Sequence, residues 1–221
     1  VCYYWSAKAD ELIYEAYLAA GLTTEDVALF ALGKLGAHEL NLSSDIDLVI
    51  LSRESPSTGM IKLTRDFVKV ISSTSEFGSG FRVDLDLRPG GNGSPLVCHL
   101  ARFQDYYWTQ SELWERMALV RMREISGPKE LIDEVLEARD QFCYRKYLDY
   151  SLLEELKRLR PKIHATANRD SEPDSINLKL TPGYIRDIEL FINAHQIIYG
   201  GKEKKLRTSS TSQAAIELAS F

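Results

Sequence analysis

Apolar positions in the first fifty residues follow two different spacings. Residues 6–20 carry apolar side chains three and four positions apart, which predicts an amphipathic helix that ends at Gly21. The runs Val27–Leu32 and Ile46–Leu51 are almost continuously apolar, and each predicts a buried strand. The first run stops at Gly33, so a glycine turn is expected between the two strands.

The next forty residues predict a helix, a third strand and a turn. Ile61–Ile71 places its apolar side chains on one helical face. Phe81–Leu87 alternates apolar and polar positions, as a strand with one polar face does. The glycine-rich segment 89–93 predicts a turn. In this order the elements predict an α/β fold class (α+β in arrangement), with a small mixed sheet flanked by helices.

The second half of the chain predicts helices almost throughout. Between Leu100 and Leu159 apolar residues recur at helical spacing, and no strand pattern occurs. Gly127-Pro128 is the clearest break, so we place a domain boundary there. Residues 1–127 are then the α/β domain with its N-terminal helix, and residues 128–221 are a mostly helical C-terminal region.

A polar segment interrupts this helical region. Residues 161–176 contain two prolines and predict a loop, after which residues 177–180 predict a short strand. Pro182-Gly183 then begins a helix that runs to Tyr199. We leave open that residues 177–199 return to the α/β domain.

Composition and charge narrow the class of protein. The 221 residues are 44% hydrophobic and 27% charged, which is typical of a globular protein. The net charge of −5 disfavours nucleic acid as a partner, and no apolar run is long enough for a membrane span. Three dispersed cysteines indicate a reducing, cytoplasmic location. Because the chain starts with Val and lacks a signal segment, we expect a piece of a longer protein.

Two carboxylates mark the start of the second predicted strand. Asp45 and Asp47 are two positions apart, so they share one face of the strand. Like charges this close repel one another unless a cation or water screens them. Hard divalent ions such as Mg²⁺ bind carboxylate oxygens and keep positions open for phosphate. A two-metal site requires a third carboxylate, and the polar face of the next strand offers Asp84 and Asp86.

A glycine and a lysine precede this acidic pair. Gly33 lets the backbone approach a phosphate closely, and Lys34 adds a positive charge. Taken alone, either motif is usually structural, and a D-x-D pair is most often a solvated strand end. In the order described, however, the elements resemble the nucleotidyltransferase superfamily of DNA polymerase β. That family often has Ser after the glycine, where this chain has Lys34.

Longer strings resemble one family more closely. The segment GKLGAHELNLSSDIDLVIL (33–51) is similar to a signature of glutamine synthetase adenylyltransferase, a two-headed enzyme that adds AMP to glutamine synthetase and removes it. The resemblance continues in four further segments, which follow in the family's order: RVDLDLRPGGNGSPLV (82–97), WERMALVRMR (114–123), KLTPGYIRDIELF (179–191) and IIYGGKEKKLRT (197–208).

The resemblance implies a site and its ligands. Asp45, Asp47 and Asp84 would be the catalytic, metal-binding aspartates, with two Mg²⁺ as cofactor. The family commonly has Arg at the position of Asp86, so Asp84 is the preferred third ligand. Nucleotide and phosphate binding would fall to Gly33, Lys34, Ser44, Arg88, Arg186 and Glu189. ATP, ADP and phosphate would be substrates or products. Glutamine synthetase would be the protein partner, with the PII signal protein acting through the full-length enzyme in nitrogen regulation.

Three local features are similar to the half of that enzyme that removes AMP. They are the segment 92–97, the helix start Trp114-Glu115-Arg116, and the segment 185–189 followed by Gly200-Gly201. The expected reaction is therefore phosphorolysis of the AMP–tyrosine bond to give ADP. Alternatives are adenylylation from ATP, a different reaction of the superfamily, and a non-catalytic regulatory docking domain. The intact aspartates favour an enzyme.

Several side chains have more than one interpretation. Arg88 is expected to hold a phosphate or to pair with Asp86. Arg121 and Arg123 are expected to neutralise phosphate, to reach an acidic partner, or to belong to a solvated helix face. Four aromatic residues are expected to form the core between sheet and helices, with adenine stacking as a less favoured role: Tyr106, Tyr107, Trp108 and Trp114.

Overall fold

A computed structural model describes most of the chain. It covers residues 1–23, 25, 27–76, 78–146, 152, 154–159, 161, 178–179 and 181–220. Most of the predicted loop 161–176 lies outside the described residues. Of the predicted strand 177–180, only residues 178 and 179 are described.

Contacts divide the chain into two compact units. The first comprises Val1–Ser111 and Arg121–Phe142, and the second comprises Glu112–Val120 and Cys143–Phe221. The division therefore falls elsewhere than at Gly127, which lies inside the first unit. The second unit also takes a short segment from the middle of the chain, which the linear pattern of breaks does not reveal.

The helices and strands follow the predicted order with several additions. The strands are β1 Ala28–Ala31, β2 Ile46–Ser52, β3 Thr74–Ser75, β4 Gly78–Ser79, β5 Val83–Asp84, β6 Val97–His99 and β7 Arg123–Ser126. The helices are α1 Cys2–Ala19, α2 Gly33–Gly36, α3 Thr58–Ser72, α4 Leu100–Thr109, α5 Leu113–Leu119, α6 Lys129–Cys143, α7 Ile185–Tyr199 and α8 Thr211–Ala219.

The first unit is built on a small mixed sheet, which confirms the predicted α/β class. Its strand order is β5-β2-β1-β7, and β6 pairs with β2 further along. β2 runs antiparallel to β1, with Phe30 opposite Val49, and parallel to β5 and β6. A separate two-stranded sheet joins β3 to β4. β2 is therefore the central strand, and both aspartate-bearing strands lie side by side.

The two continuous apolar runs form the centre of the core. All four residues of β1 are buried, and so are six of the seven residues of β2; Asp47 is the partly exposed one. α1 packs against this core through Ile13 and Tyr17, and α3 packs through Phe67 and Ile71. Fully burying each such side chain contributes about 1.5–3 kcal/mol. The sheet that carries the aspartates is thus held from behind by two helices.

α1 begins earlier than the periodicity indicates. It starts at Cys2 rather than at residue 6. The first turn exposes its aromatic side chains and has no apolar stripe, so the periodicity of the sequence does not reveal it. The buried Ser6 hydroxyl donates to the Cys2 carbonyl at 2.9 Å and accepts the Leu40 N–H at 3.1 Å. This second bond ties the helix to the segment that leads into β2.

Three strand predictions need correction. The period-two pattern of Phe81–Leu87 yields only the two paired residues of β5, because the chain curls immediately after Asp84. β7 lies in the stretch predicted to be wholly helical, and it pairs antiparallel with β1. β6 follows the glycine turn and was not predicted. These strands have two to four residues, too few for a periodic signal.

The predicted aromatic core is correct only in part. Tyr107 is buried, and its ring lies against Phe103 and Phe142. Trp108 and Trp114 are wrong as core residues, since they are 51% and 41% exposed. Helical spacing places Tyr107 inward, and one position further the helix has turned by about 100°. Trp108 therefore lies at the exposed edge of this core, with its ring against Phe142.

The second unit is helical where it is described. A 3₁₀ turn at Lys204–Leu206 precedes α8, and the buried Gln196 amide of α7 donates to the Leu206 and Thr208 carbonyls, each at 2.7 Å. A Cβ at Gly201 would lie 2.1 Å from the Arg145 carbonyl oxygen. The double glycine Gly200-Gly201 therefore has a structural role, because it allows close backbone packing.

Membrane insertion and disulfide bonds find no support in the described residues. None of the helices described there has both the length and the apolar character of a membrane span. Cys2, Cys98 and Cys143 are free thiols. Burial raises the pKa of the Cys98 thiol to about 11.

Candidate active site

The three predicted aspartates lie on two adjacent strands. Asp45 directly precedes β2, Asp47 is its second residue, and Asp84 ends β5. In the parallel pairing of these strands Asp47 is the register partner of Asp84. The Ile46 N–H donates to the Arg82 carbonyl at 2.9 Å, which fixes this register at its start. Residues that are 37 positions apart in sequence thus become neighbours.

Gly33 lies directly against the Asp47 carboxylate. Its φ of +54° is unfavourable for other residues. A Cβ built at this position would lie 2.0 Å from Asp47 Oδ2 and 2.9 Å from Cγ. The Leu32 N–H donates to the Asp47 carbonyl at 2.9 Å, which holds the turn in place. The glycine turn and the D-x-D pair, two separate sequence motifs, therefore form one compact arrangement.

Asp45 is engaged by an arginine that sequence reasoning missed. The Arg82 guanidinium forms an ion pair with Asp45 through Nε, and its Nη2 donates to the Ser43 carbonyl at 2.6 Å. The two side chains are 73% and 48% exposed, so water screens the pair. The one sequence signal for this contact is that Arg82 occupies a polar position in the alternating pattern of the third predicted strand.

Asp47 and Asp84 are the two side chains whose arrangement best suits a metal ion. Like charges on directly paired strand positions destabilise a sheet, and a divalent cation relieves that repulsion. An all-carboxylate donor set suits Mg²⁺ rather than zinc or copper. Among the described residues, no three His, Cys, Asp or Glu side chains already converge as a metal-binding group. Asp45, the third predicted ligand, is turned to Arg82 instead. The metal-binding role of the three aspartates stays a prediction.

The loop after β5 is stabilised from within. Asp84 Oδ1 accepts the Asp86 N–H at 2.7 Å. Arg88 is buried, and it donates to the Leu85 carbonyl at 2.6 Å and to the Ser94 carbonyl at 3.2 Å. Its Nη1 also lies 3.9 Å from Asp86. These contacts give Arg88 a structural role in closing the loop, and its phosphate-binding role stays a prediction.

Lys34 directly follows Gly33 in the sequence, and Ser44 directly precedes Asp45. Lys34 is in α2, directly after Gly33, and its ammonium lies 3.8 Å from Glu39. Ser44 is half-buried, and its N–H donates to the Asn41 carbonyl at 3.2 Å. Both are next in sequence to a residue of the site, and their contact with nucleotide stays a prediction.

Arg186 and Glu189 lie on α7, in the second unit. Both are half-buried, whereas the neighbouring Ile188 and Phe191 are 54% and 60% exposed. The outward side of this helix therefore carries apolar side chains, and Arg186 and Glu189 are less exposed than these neighbours. The binding of nucleotide or phosphate by Arg186 and Glu189 stays a prediction.

Arg123 supports the Gly33 turn. Its Nη2 donates to Asp10 of α1 at 3.0 Å and to the Leu35 carbonyl at 3.1 Å, and its Nε donates to the Gly36 carbonyl at 3.4 Å. Arg121 is buried. Neither arginine lies on a solvated helix face, because β7 and the turn before it place them against the sheet.

Arg123→Ala is expected to lower the free energy of unfolding by about 2 kcal/mol, because Asp10 and the backbone carbonyls of Leu35, Gly36 and Glu124 lose their donor. Denaturant unfolding followed by circular dichroism measures the change. Arg53→Ala is the matched control, since Arg53 forms one exposed ion pair with Glu134 and should cost under about 1 kcal/mol. Equal losses in the two variants would contradict the supporting role of Arg123.

Comparison with known proteins identifies similar sequences. A family model described as glutamate-ammonia ligase adenylyltransferase matches residues 8–138. A protein of Nitrosococcus oceani is 33% identical over 216 residues, which cover 93% of this chain and 22% of that protein. A protein of Aromatoleum aromaticum is 34% identical over 208 residues, which cover 90% of this chain and 22% of that protein. Both are named bifunctional glutamine synthetase adenylyltransferase/adenylyl-removing enzyme. The chain spans about a fifth of their length.

Proposed function

This chain belongs to the glutamate-ammonia ligase adenylyltransferase family, a family of nucleotidyltransferases, and we propose that it removes AMP from adenylylated glutamine synthetase by phosphorolysis. The observation that carries the proposal is that Gly33 lies directly against the Asp47 carboxylate, and that Asp47 is the register partner of Asp84 on the paired strand. Such an arrangement suits a phosphoryl group that is bound next to a metal.

The direction of the reaction rests on local motifs. The names of the relatives include both adenylylation and its reversal. Three features are similar to the removing half: the segment 92–97, the helix start Trp114-Glu115-Arg116, and the segment 185–189 followed by Gly200-Gly201. Phosphorolysis also needs a site for free phosphate, and the Arg186 guanidinium can bind phosphate through two parallel hydrogen bonds. Removal is therefore favoured over addition from ATP.

The reaction exchanges one phosphorus–oxygen bond for another. An oxygen of hydrogen phosphate bonds to the AMP phosphorus, and the bond from that phosphorus to the tyrosine oxygen breaks. The tyrosine oxygen takes up the proton that the hydrogen phosphate gives up, and ADP leaves. Asp45, Asp47 and Asp84 would hold two Mg²⁺ ions, which when bound neutralise charge on the phosphates. Lys34 would add positive charge next to the Gly33 turn. If Asp45 left Arg82 and bound the metal, all three carboxylates would be metal ligands.

Direct assay of both directions tests the proposal. The chain is incubated with adenylylated glutamine synthetase, phosphate and Mg²⁺, and ADP release is measured. In parallel it is incubated with unmodified glutamine synthetase and ATP, and AMP transfer is measured. ADP release that depends on phosphate supports removal. Transfer from ATP alone would assign the adding activity, and inactivity in both assays with retained binding of glutamine synthetase would indicate a docking domain.

Lys34→Ala is expected to raise the Michaelis constant for phosphate or nucleotide about tenfold, with a much smaller change in kcat. A charge at this position should interact with ground state and transition state alike, so its loss weakens binding rather than the chemical step. Steady-state kinetics measure both constants. Lys62→Ala, at an exposed position of α3, is the control. A large fall in kcat with an unchanged Michaelis constant would contradict this role.

Arg186→Ala is expected to raise the phosphate concentration needed for half-maximal ADP release by about tenfold, since a guanidinium–phosphate pair is lost. Titration of phosphate at fixed adenylylated substrate measures the shift. Lys205→Ala, an exposed cation of the same unit, should leave the phosphate titration unchanged. An identical phosphate titration in Arg186→Ala would remove Arg186 from the phosphate site.

A further inference from the structure

A separate cavity opens in the first unit beside the aspartates. It has a volume of about 720 Å³ and lies between α1, the end of α3, the β3–β4 hairpin and the loop before β2. Its walls are largely apolar and include Trp5, Leu12, Ala16, Val70 and Phe81. Cavities of this size and character are typical sites for small molecules.

A few polar groups converge on this apolar cavity. Four serines contribute to the lining: Ser43, Ser44, Ser73 and Ser79. Arg82 is the one cation among the lining residues, and Glu15 is the one anion. Glu15 lies on the exposed side of α1, whereas the Arg82 guanidinium is positioned by its bonds to Asp45 and the Ser43 carbonyl. Arg82 is therefore the charged group of the lining that is held in position.

Arg82 keeps hydrogen-bonding capacity for a ligand. A guanidinium has five N–H donors. Within the described residues, the contacts of Arg82 engage Nε and Nη2, and Nη1 has no partner there. An anionic group at the cavity mouth would bind Nη1 without displacing the existing contacts, or would compete with Asp45 for the whole guanidinium.

We propose that this cavity binds a small amphipathic molecule with an apolar body and one anionic head, the body lying against Trp5, Leu12 and Phe81 and the head on Arg82. The assignment is independent of the proposed function, because it depends only on the shape and charge of the cavity. Nucleotides are a poor fit, since their polar base and several phosphates match neither the apolar walls nor the single cation.

Anilinonaphthalene sulfonate, an apolar ring system with one anionic head, is a direct probe. Its fluorescence, excited by energy transfer from tryptophan, reports binding to the intact chain. Arg82→Gln should weaken binding about tenfold, the usual effect of losing a charged hydrogen bond. Ala19→Phe should abolish binding, because Ala19 lines the cavity. Leu18→Phe is the matched control, since Leu18 is exposed on the same helix and does not line the cavity.

Competition identifies the head group. Decanoate should displace the probe, whereas decylamine, with the same chain and a cationic head, should not. Displacement by decylamine alone would assign the site to Glu15 and overturn the proposal. Displacement by ADP would assign the cavity to the nucleotide and also overturn it. Unchanged probe binding in Ala19→Phe would show that the probe binds elsewhere, with the same consequence.

A second arm tests a link between the cavity and the aspartates, and this arm rests on the proposed function. If Mg²⁺ binding withdraws Asp45 from Arg82, the guanidinium becomes available to the anionic head, and by reciprocity each ligand should tighten the other. Saturating Mg²⁺ should therefore strengthen probe binding about threefold in the wild-type chain and not in Asp45→Asn. Probe binding that depends on Arg82 but not on Mg²⁺ would contradict the link while the cavity assignment stands.

Discussion

Replacement of both Asp45 and Asp47 by Asn is expected to lower turnover at least about a thousandfold and to leave the fold intact. Metal-bound carboxylates stabilise charge that develops in the transition state, and a neutral amide holds Mg²⁺ poorly. Asn has nearly the same shape as Asp, and its amide removes the repulsion between Asp47 and Asp84. Single-turnover release of ADP, together with thermal unfolding, measures both effects.

The structure also ranks the two single variants. Asp47 lies against Gly33 and opposite Asp84, whereas Asp45 is paired with the exposed Arg82. Asp47→Asn should therefore cause the larger loss. Asp66→Asn, at a surface position of α3 where the carboxylate meets Lys69, is the control and should have wild-type turnover. Wild-type turnover in the double variant at saturating Mg²⁺ would refute the metal site.

Gly33→Ala is the second change with a large expected effect. The new methyl group would lie 2.0 Å from Asp47 Oδ2, so the carboxylate or the turn must move. A displacement of about 1 Å at a catalytic group can lower the rate about a hundredfold. The positive φ of +54° adds a cost of about 1–2 kcal/mol to the folded state. Turnover and the free energy of unfolding are both expected to fall.

Gly91→Ala separates these two causes. Gly91 has a φ of +59°, almost that of Gly33, but its Cβ would meet its nearest neighbour, the Asp86 carbonyl oxygen, only at 3.6 Å. The backbone cost should therefore be similar in the two variants, while turnover should fall steeply only in Gly33→Ala. Similar turnover in both would mean that the contact between Gly33 and Asp47 is unimportant for the reaction.

The central elements and the family follow from local patterns in the sequence. The apolar runs around residues 27–32 and 46–51 predicted β1 and β2, because a fully buried strand needs apolar side chains on both faces. The helical stripe of residues 61–71 predicted α3 within a few residues. The strings around Gly33 and Asp45 indicated the family that the matched family model also identifies. These signals are local, so they can be read without knowing any contact.

Contacts between residues that are distant in sequence become visible only in the folded chain. β5, β6 and β7 are too short to show a period, and each exists because β2 or β1 offers it unpaired backbone groups. Arg82 pairs with Asp45 because folding brings their elements together. The structural roles of Arg88 and Arg123 likewise depend on which elements become neighbours. A charged residue has the same sequence signature whether it binds a ligand or a backbone carbonyl, and only its surroundings in the folded chain distinguish the two roles.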